Sequence, residues 1–321
     1  MARGQLSPPL KPSITTLAGG VGAAKFLRGL VRRIDPRRVS VVVNTGDDEH
    51  FYGLHVSPDV DTVIYTLGGV INPVNGWGLE GESFNALEAL GRLYGKPWFN
   101  LGDRDLATHL YRSERLRAGA RLTEVTTELA ERFGVKSRVL PMSDARVHTF
   151  VKLKGRDAIP FQEYFVRGRA RGVVEAIELR GVEKARPTPA VIDSIKRADA
   201  VVIAPSNPFV SIGPIVALRG MRKALTAVRS RVAAISPIVG GKTIKGPADK
   251  MMRGLGHEVS PLGIARLYRD IAGLMVIDIA DHRYLEPIRA LGMKAIATDT
   301  VMTTPEHAAR LADVVARALE V

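Results

Sequence analysis

Short apolar runs rich in Val, Ile and Ala recur along the chain: ITTLA from Ile14, VSVVV from Val39, AVVIA from Ala200, VAAIS from Val232, LMVID from Leu274 and KAIAT from Lys294. Their apolarity is continuous rather than alternating, as strands covered on both faces of a parallel sheet require. Helical stripes lie between them. Phe26, Leu27, Leu30, Val31 and Ile34 recur at helical spacing, and so do Leu122, Val125, Leu129 and Phe133. Strands alternating with helices predict an α/β, Rossmann-like, doubly wound fold with a mainly parallel sheet. Two stretches break the rhythm. Residues 76–133 read as a helical insertion, and over 147–181 the segments FVKLK, PFQEYFVR and VVEAIEL read as a small antiparallel excursion. No internal repeat or low-complexity linker divides the chain. Residues 14–321 are therefore expected to form a single domain behind a flexible tail over 1–13.

Composition narrows the class. With 45% apolar and 25% charged residues the chain reads as an ordinary soluble globular protein. It has no cysteine, which excludes disulfides and thiolate metal sites and fits a reducing cytoplasm. Lys and Arg number 46 against 33 Asp and Glu, a net charge of +13 that attracts polyanions, acidic membranes or phosphorylated small molecules. The basic residues are scattered, however, with no arginine-rich arm and no aromatic RNA-binding signature. There is also no apolar run of membrane-spanning length. The expectation is solvated surface charge that steers an anionic metabolite, without nucleic acid or membrane as partner.

In open parallel sheets ligands bind beyond the carboxyl ends of the strands, so the residues just after each run decide the chemistry. After ITTLA comes GGVGAAK, where Gly19, Gly20 and Gly22 let backbone approach a ligand at the start of a helix and Lys25 stands close by. A dinucleotide fingerprint would need glycine at Lys25, and a Walker loop would need a longer loop ending in Gly-Lys-Ser/Thr. The turn is either an anion site or a tight strand-to-helix connection. After VSVVV, NTGDD offers Asp47 and Asp48, adjacent carboxylates that suit Mg²⁺ or an ordinary turn. SPDVDT comes next; Asp59 has a sufficient explanation as a helix cap, whereas Asp61 in the first turn is less easily dismissed.

LGDRDLATHL places Asp103 and Asp105 at a helix start, with Leu106 and Leu110 toward the core and Arg104 as either an ion-paired strut or a phosphate fork. His109 reads as a packed helix residue. After AVVIA, PSNP holds Ser206 and Asn207 between prolines, donors that could read a ring or simply close a turn. Trp77 and Trp98 read as core or lid residues.

Taken in order, GGVGAAKFLRGL, VVVNTGDD, SPDVDTVIYTLGG, GWG, LGDRDLATH, PMSD, FQEYFVR, APSNPFVSIGPI, SPIVGG and KGPADKMM resemble the 2-phospho-L-lactate transferase family of coenzyme F-420 biosynthesis, over nearly the whole chain. GGVG looks more like the bacterial, phosphoenolpyruvate-type branch. The resemblance implies a Rossmann-like, usually dimeric, Mg²⁺-dependent enzyme. Its donor is a guanosine diphosphate ester of a three-carbon acid, lactate or enolpyruvate. Its acceptor is the deazaflavin FO (7,8-didemethyl-8-hydroxy-5-deazariboflavin), whose ribityl hydroxyl displaces GMP. It further implies that Gly19, Gly20, Gly22 and Lys25 hold the donor diphosphate, with Asp47 and Asp48 holding Mg²⁺. Asp61 and Arg104 would contact FO, Asp61 and Asp48 would serve catalysis, and Ser206 and Asn207 would frame the nucleotide or the deazaflavin. On this reading Asp61→Asn should abolish turnover and spare the fold. Two alternatives stand beside it: a nucleotide-sugar-binding regulator without transferase activity, and an NAD(P)-dependent oxidoreductase.

Overall fold

The structure is a computed structural model that describes residues 12–321. Most of the tail expected over 1–13 lies outside the described residues. Ser13 is tied down: its N–H and hydroxyl both donate to Asp199 Oδ2, at 2.7 and 2.9 Å.

Seven strands form the central sheet: β1 (Ile14–Ala18), β2 (Val39–Val43), β3 (Arg138–Pro141), β4 (Ala200–Ile203), β5 (Val232–Ile235), β6 (Leu274–Asp278) and β7 (Lys294–Thr298). Their spatial order is 7-6-5-4-1-2-3, and every pairing is parallel. This is the doubly wound α/β arrangement expected from the strand–helix rhythm. Strand β1 lies between β2 and β4, with Leu17 opposite both Val42 and Ile203, so the winding reverses at its carboxyl end.

The continuous apolarity of the strands has a direct cause. Successive side chains point to opposite faces, and each face is covered. Ile14, Ala18, Val41, Val43 and Val202 enter a core with α1 (Gly20–Leu30), α2 (Pro58–Leu67) and the helix Pro305–Ala318. Leu17, Val42, Val201, Ile203 and Met275 enter the opposite core with helices such as Pro189–Arg197 and Pro261–Tyr268.

After α2 the chain forms α3 (Asn85–Tyr94), α4 (Asp103–Arg117) and α5 (Leu122–Arg132). The excursion is a three-stranded antiparallel sheet with His148–Leu153 between Ala158–Pro160 and Val174–Arg180. Its Val151, Tyr164 and Val174 pack with Val210 and Met251, which docks it beside the exit of β4. FQEYFVR, expected to continue this strand pattern, instead forms a π-helical turn, Glu163–Arg167. Leu110, expected in the core, is 54% exposed. Among the described residues no helix is long and apolar enough to cross a membrane.

The helices of the first face approach closely at Gly29. A Cβ built there would lie 2.2 Å from the Ala308 carbonyl carbon and 2.4 Å from its oxygen. Alanine at this position gains about 1 kcal/mol of helix propensity, but the obstacle is backbone that cannot rotate away. Overpacking of about 1–3 kcal/mol prevails, so Gly29→Ala should lower the midpoint of urea unfolding.

Candidate active site

Four strand exits meet at one cavity of about 410 Å³, lined by Gly19–Gly22 and Lys25 after β1, Asp47 after β2, Pro205–Asn207 after β4 and Ser236–Pro237 after β5. Residues Thr300–Thr303, beyond β7, complete that wall. They are held by Asp278, whose Oδ2 accepts from the Thr300 N–H and hydroxyl, both at 2.9 Å.

The glycines are explained first by packing. Gly20 has φ +71°, where a side chain would be strained. A Cβ on Gly22 would stand 2.3 Å from the Pro205 carbonyl oxygen, and one on Gly19 2.6 Å from Ser211 Cβ. Ser206 Oγ donates to the Gly19 carbonyl at 2.7 Å. The β4 exit thus clasps the β1 exit, and Gly19–Gly22 at the start of α1 line the cavity. Asn207 closes its own loop, its Oδ1 accepting from the Phe209 N–H at 2.9 Å. Ser206 and Asn207 line the cavity, but these polar groups are engaged in building it. Residues 238–243 form a hairpin between Ile238–Val239 and Lys242–Thr243, turning on Gly240 (φ +56°) and Gly241 (φ +75°).

Three carboxylates crowd the β2 exit. Asn44, fully buried, donates from Nδ2 to Asp59 Oδ2 at 2.9 Å and to the Val210 carbonyl at 3.1 Å. Asp59 is not a cap. Ser57 occupies the N-cap position of α2 with Pro58 behind it, and Asp59 turns toward Gly19 and Gly20. Burial, then the Asp48 charge, pushes Asp59 up to about 6, against the hydrogen bond from Asn44. Asp47 lines the cavity with Oδ1 buried and unpartnered. Burial raises its carboxyl well above the ordinary range, and the charges of Asp59 and Asp48 add to this. Asp48 does not line the cavity; it accepts from Ser57 Oγ at 2.7 Å and faces His55 Nε2 at 2.9 Å. Crowded, buried carboxylates, two of them (Asp47 and Asp48) with an unpartnered Oδ1, fit a divalent cation. Asp47 and Asp59 would hold it, with Asp48 behind them.

A second polar cluster comes from α2 and α4. Asp105, Thr108, His109 and Arg112 are all buried on α4 at i, i+3, i+4 and i+7, so its inward face is polar. Arg112, fully buried, grips both oxygens of Asp61, with Nη1 3.1 Å from Oδ2 and Nη2 on Oδ1. Burial is the largest influence on Asp61 and raises its proton affinity; the Arg112 and His109 charges oppose it. Tyr65 donates to Asp105 Oδ1 at 2.6 Å. His109 Nε2 lies 3.3 Å from Asp105 Oδ2 without a formed hydrogen bond. Asp61, Asp105 and His109 offer ligand atoms within 4.8 Å of one another. With Arg112 on Asp61 and Tyr65 on Asp105, this set suits a cation less well than the first.

Other expected residues lie elsewhere. Arg104 is exposed outside the cavity wall, its Nη1 donating to the Glu80 carbonyl at 2.9 Å. Asp103 receives the Asn85 and Ala86 N–H groups, at 3.1 and 2.9 Å, and so caps α3. Trp77 does line the cavity, as do Phe161, Gln162, Phe165 and Val166 around the π-helical turn, with Phe161 and Phe165 stacked at 5.5 Å.

The fold and site define a Rossmann-like α/β protein with a carboxylate-lined crevice at its topological switch point. Residues 14–315 match the family described as "2-phospho-L-lactate transferase CofD". The chain belongs to this family and is a transferase. It is 44% identical to a phosphoenolpyruvate transferase of Kitasatospora aureofaciens, over 93% of this chain and 95% of that one. It is 38% identical to the 2-phospho-L-lactate transferase of Methanosarcina mazei, over 94% and 98%. A solved structure, protein BH3568 of Bacillus halodurans, shares the fold with a TM-score of 0.62 at 17% identity, covering 95% of this chain and 99% of that one.

The Arg112–Asp61 pair changes one expectation. Removing either charge strands the other in the interior, so Asp61→Asn should cost stability as well as turnover. Arg112→Met should cost about 3–5 kcal/mol in urea unfolding, and an unchanged midpoint would mean that the buried pair is not formed.

Proposed function

We propose that this chain transfers a phospho-enolpyruvyl group from its guanosine diphosphate ester to the ribityl hydroxyl of FO, with Mg²⁺, releasing GMP in coenzyme F-420 biosynthesis as a cytoplasmic homodimer. The observation that carries the reading is the orphaned Asp47 oxygen, buried beside Asp59 and in one cavity with the glycine turn that opens α1. Family membership supports the transfer. The relatives named phosphoenolpyruvate transferase, at 40–44% identity, favour enolpyruvate over lactate.

In this reading the donor diphosphate lies against the N–H groups of Gly20–Gly22, with Lys25 nearby. Mg²⁺, when bound at Asp47 and Asp59, neutralises phosphate charge and polarises the phosphorus. Asp61, fixed by Arg112, orients the FO hydroxyl for in-line attack on the distal phosphorus. The new P–O bond forms as the bond to GMP breaks, GMP keeps the electron pair, and the hydroxyl proton passes late to the departing GMP oxygen through solvent. Such chemistry needs positioning and charge neutralisation rather than a covalent nucleophile.

Purified protein incubated with FO, Mg²⁺ and the guanosine diphosphate esters of enolpyruvate and lactate should yield GMP and an FO phosphodiester by mass spectrometry. The enolpyruvate ester should be preferred, and chelation should stop the reaction. Nucleotide binding without GMP release would make the chain a binding protein. Asp47→Asn should lower kcat by about 10²-fold or more and yet raise Tm without metal, because it removes a buried, unpaired charge.

A further inference from the structure

Two lysines line the cavity, Lys25 on α1 and Lys245 just beyond the hairpin that ends at Thr243. Neither pairs with a carboxylate among the described residues. Lys245 stands at the mouth, where its Nζ donates to the Asn75 carbonyl at 2.6 Å. Gly76 beside it packs on α1: a Cβ there would lie 2.8 Å from Val21 Cγ1, with Lys245 Nζ in ordinary contact at 3.7 Å. The ammonium is thereby held beside the first turn of α1.

Partial desolvation of Lys245, whose side chain stays exposed at the rim, and secondarily the Lys25 charge, lower its proton affinity. Two ammonium groups within one another's field, one of them bonded to a neutral carbonyl, repel unless an anion lies between them. The hairpin supporting Lys245 is itself anchored. The Gly240 N–H donates to Asp281 Oδ2 at 2.9 Å, and Thr243 Oγ1 accepts from the Asp249 N–H at 2.8 Å. A fixed support and a single neutral partner suit a side chain that exchanges that partner for a ligand.

We propose that Lys245, acting with Lys25, binds an oxyanion of the guanosine diphosphate ester, either a phosphate or the carboxylate of the three-carbon acid. This rests on the donor class proposed above. Lys245 releases the Asn75 carbonyl when the donor enters, so the oxyanion joins the hairpin to the Asn72–Gly78 loop across the mouth. The two lysines also supply fixed positive charge where GMP gains negative charge on leaving.

The test is calorimetric binding of GMP and GDP, together with the donor KM, in wild type, Lys245→Gln, Lys245→Arg and Lys242→Gln. Lys242 is exposed on the same hairpin, so its substitution removes one charge without touching the cavity. Lys245→Gln should weaken binding about tenfold, while Lys245→Arg and Lys242→Gln stay near wild type. Weaker GMP and GDP binding assigns Lys245 to a phosphate. Unchanged nucleotide binding with a donor KM raised about tenfold assigns it to the carboxylate. If Lys245→Gln changes none of these in an enzyme that binds GMP, or if Lys242→Gln weakens binding equally, the inference is overturned. If wild type binds neither nucleotide, the donor reading itself falls.

Discussion

Everything at the carboxyl end of the sheet depends on how closely two backbones pass at Gly22 and Pro205. A hydrogen in place of a Cβ lets α1 start directly against the β4 exit, and the Ser206 hydroxyl on the Gly19 carbonyl keeps it there. Because β1 is the strand where the winding reverses, this contact sets the width of the crevice that the other exits line. The same glycines therefore have a packing reason and a ligand-facing position, and the first does not argue against the second.

The electrostatics follow from where that crevice lies. Asp47 and Asp59 are carried into a buried corner by β2 and α2, where the fold alone provides amides and hydroxyls but no counter-charge. Asp61 is equally buried, yet Arg112 compensates it within the chain. One acid is stabilised by the protein, and the others are left at the expense of stability for whatever enters the cavity. A site built this way is least stable when empty, a common cost of function.

The central strands were legible because burial on both faces leaves a plain mark: every position in β4 and β5 is apolar. β3 was not, since Arg138–Pro141 begins with an exposed arginine and ends in a proline at the sheet edge. The apolar residues of FQEYFVR suit either period, and only its tertiary position decides for a π-helical turn over strand. The α4 cluster was invisible to a search for apolar stripes, although Asp105, Thr108, His109 and Arg112 have the spacing of a core face written in polar residues. Asp59 carries a usable signal in the sequence: Ser-Pro places the cap at Ser57 and the proline at the first helical position, so the aspartate is not needed as the cap. Arg104 points the other way, since its motif matches a family pattern while its side chain reaches Glu80 outside the cavity.

The π-helical turn Glu163–Arg167 matters in a way that concerns descent rather than mechanism. Such a turn holds one residue more than the α-helical turn it replaces. Deleting a single codon within it would restore ordinary winding and rotate the rest of that segment by about 100°. Phe165 would then leave its place over Phe161, and the cavity would lose an aromatic wall without any substitution in the crevice. Relatives that differ here by one residue in length would be expected to differ in what they admit, even where every carboxylate is retained.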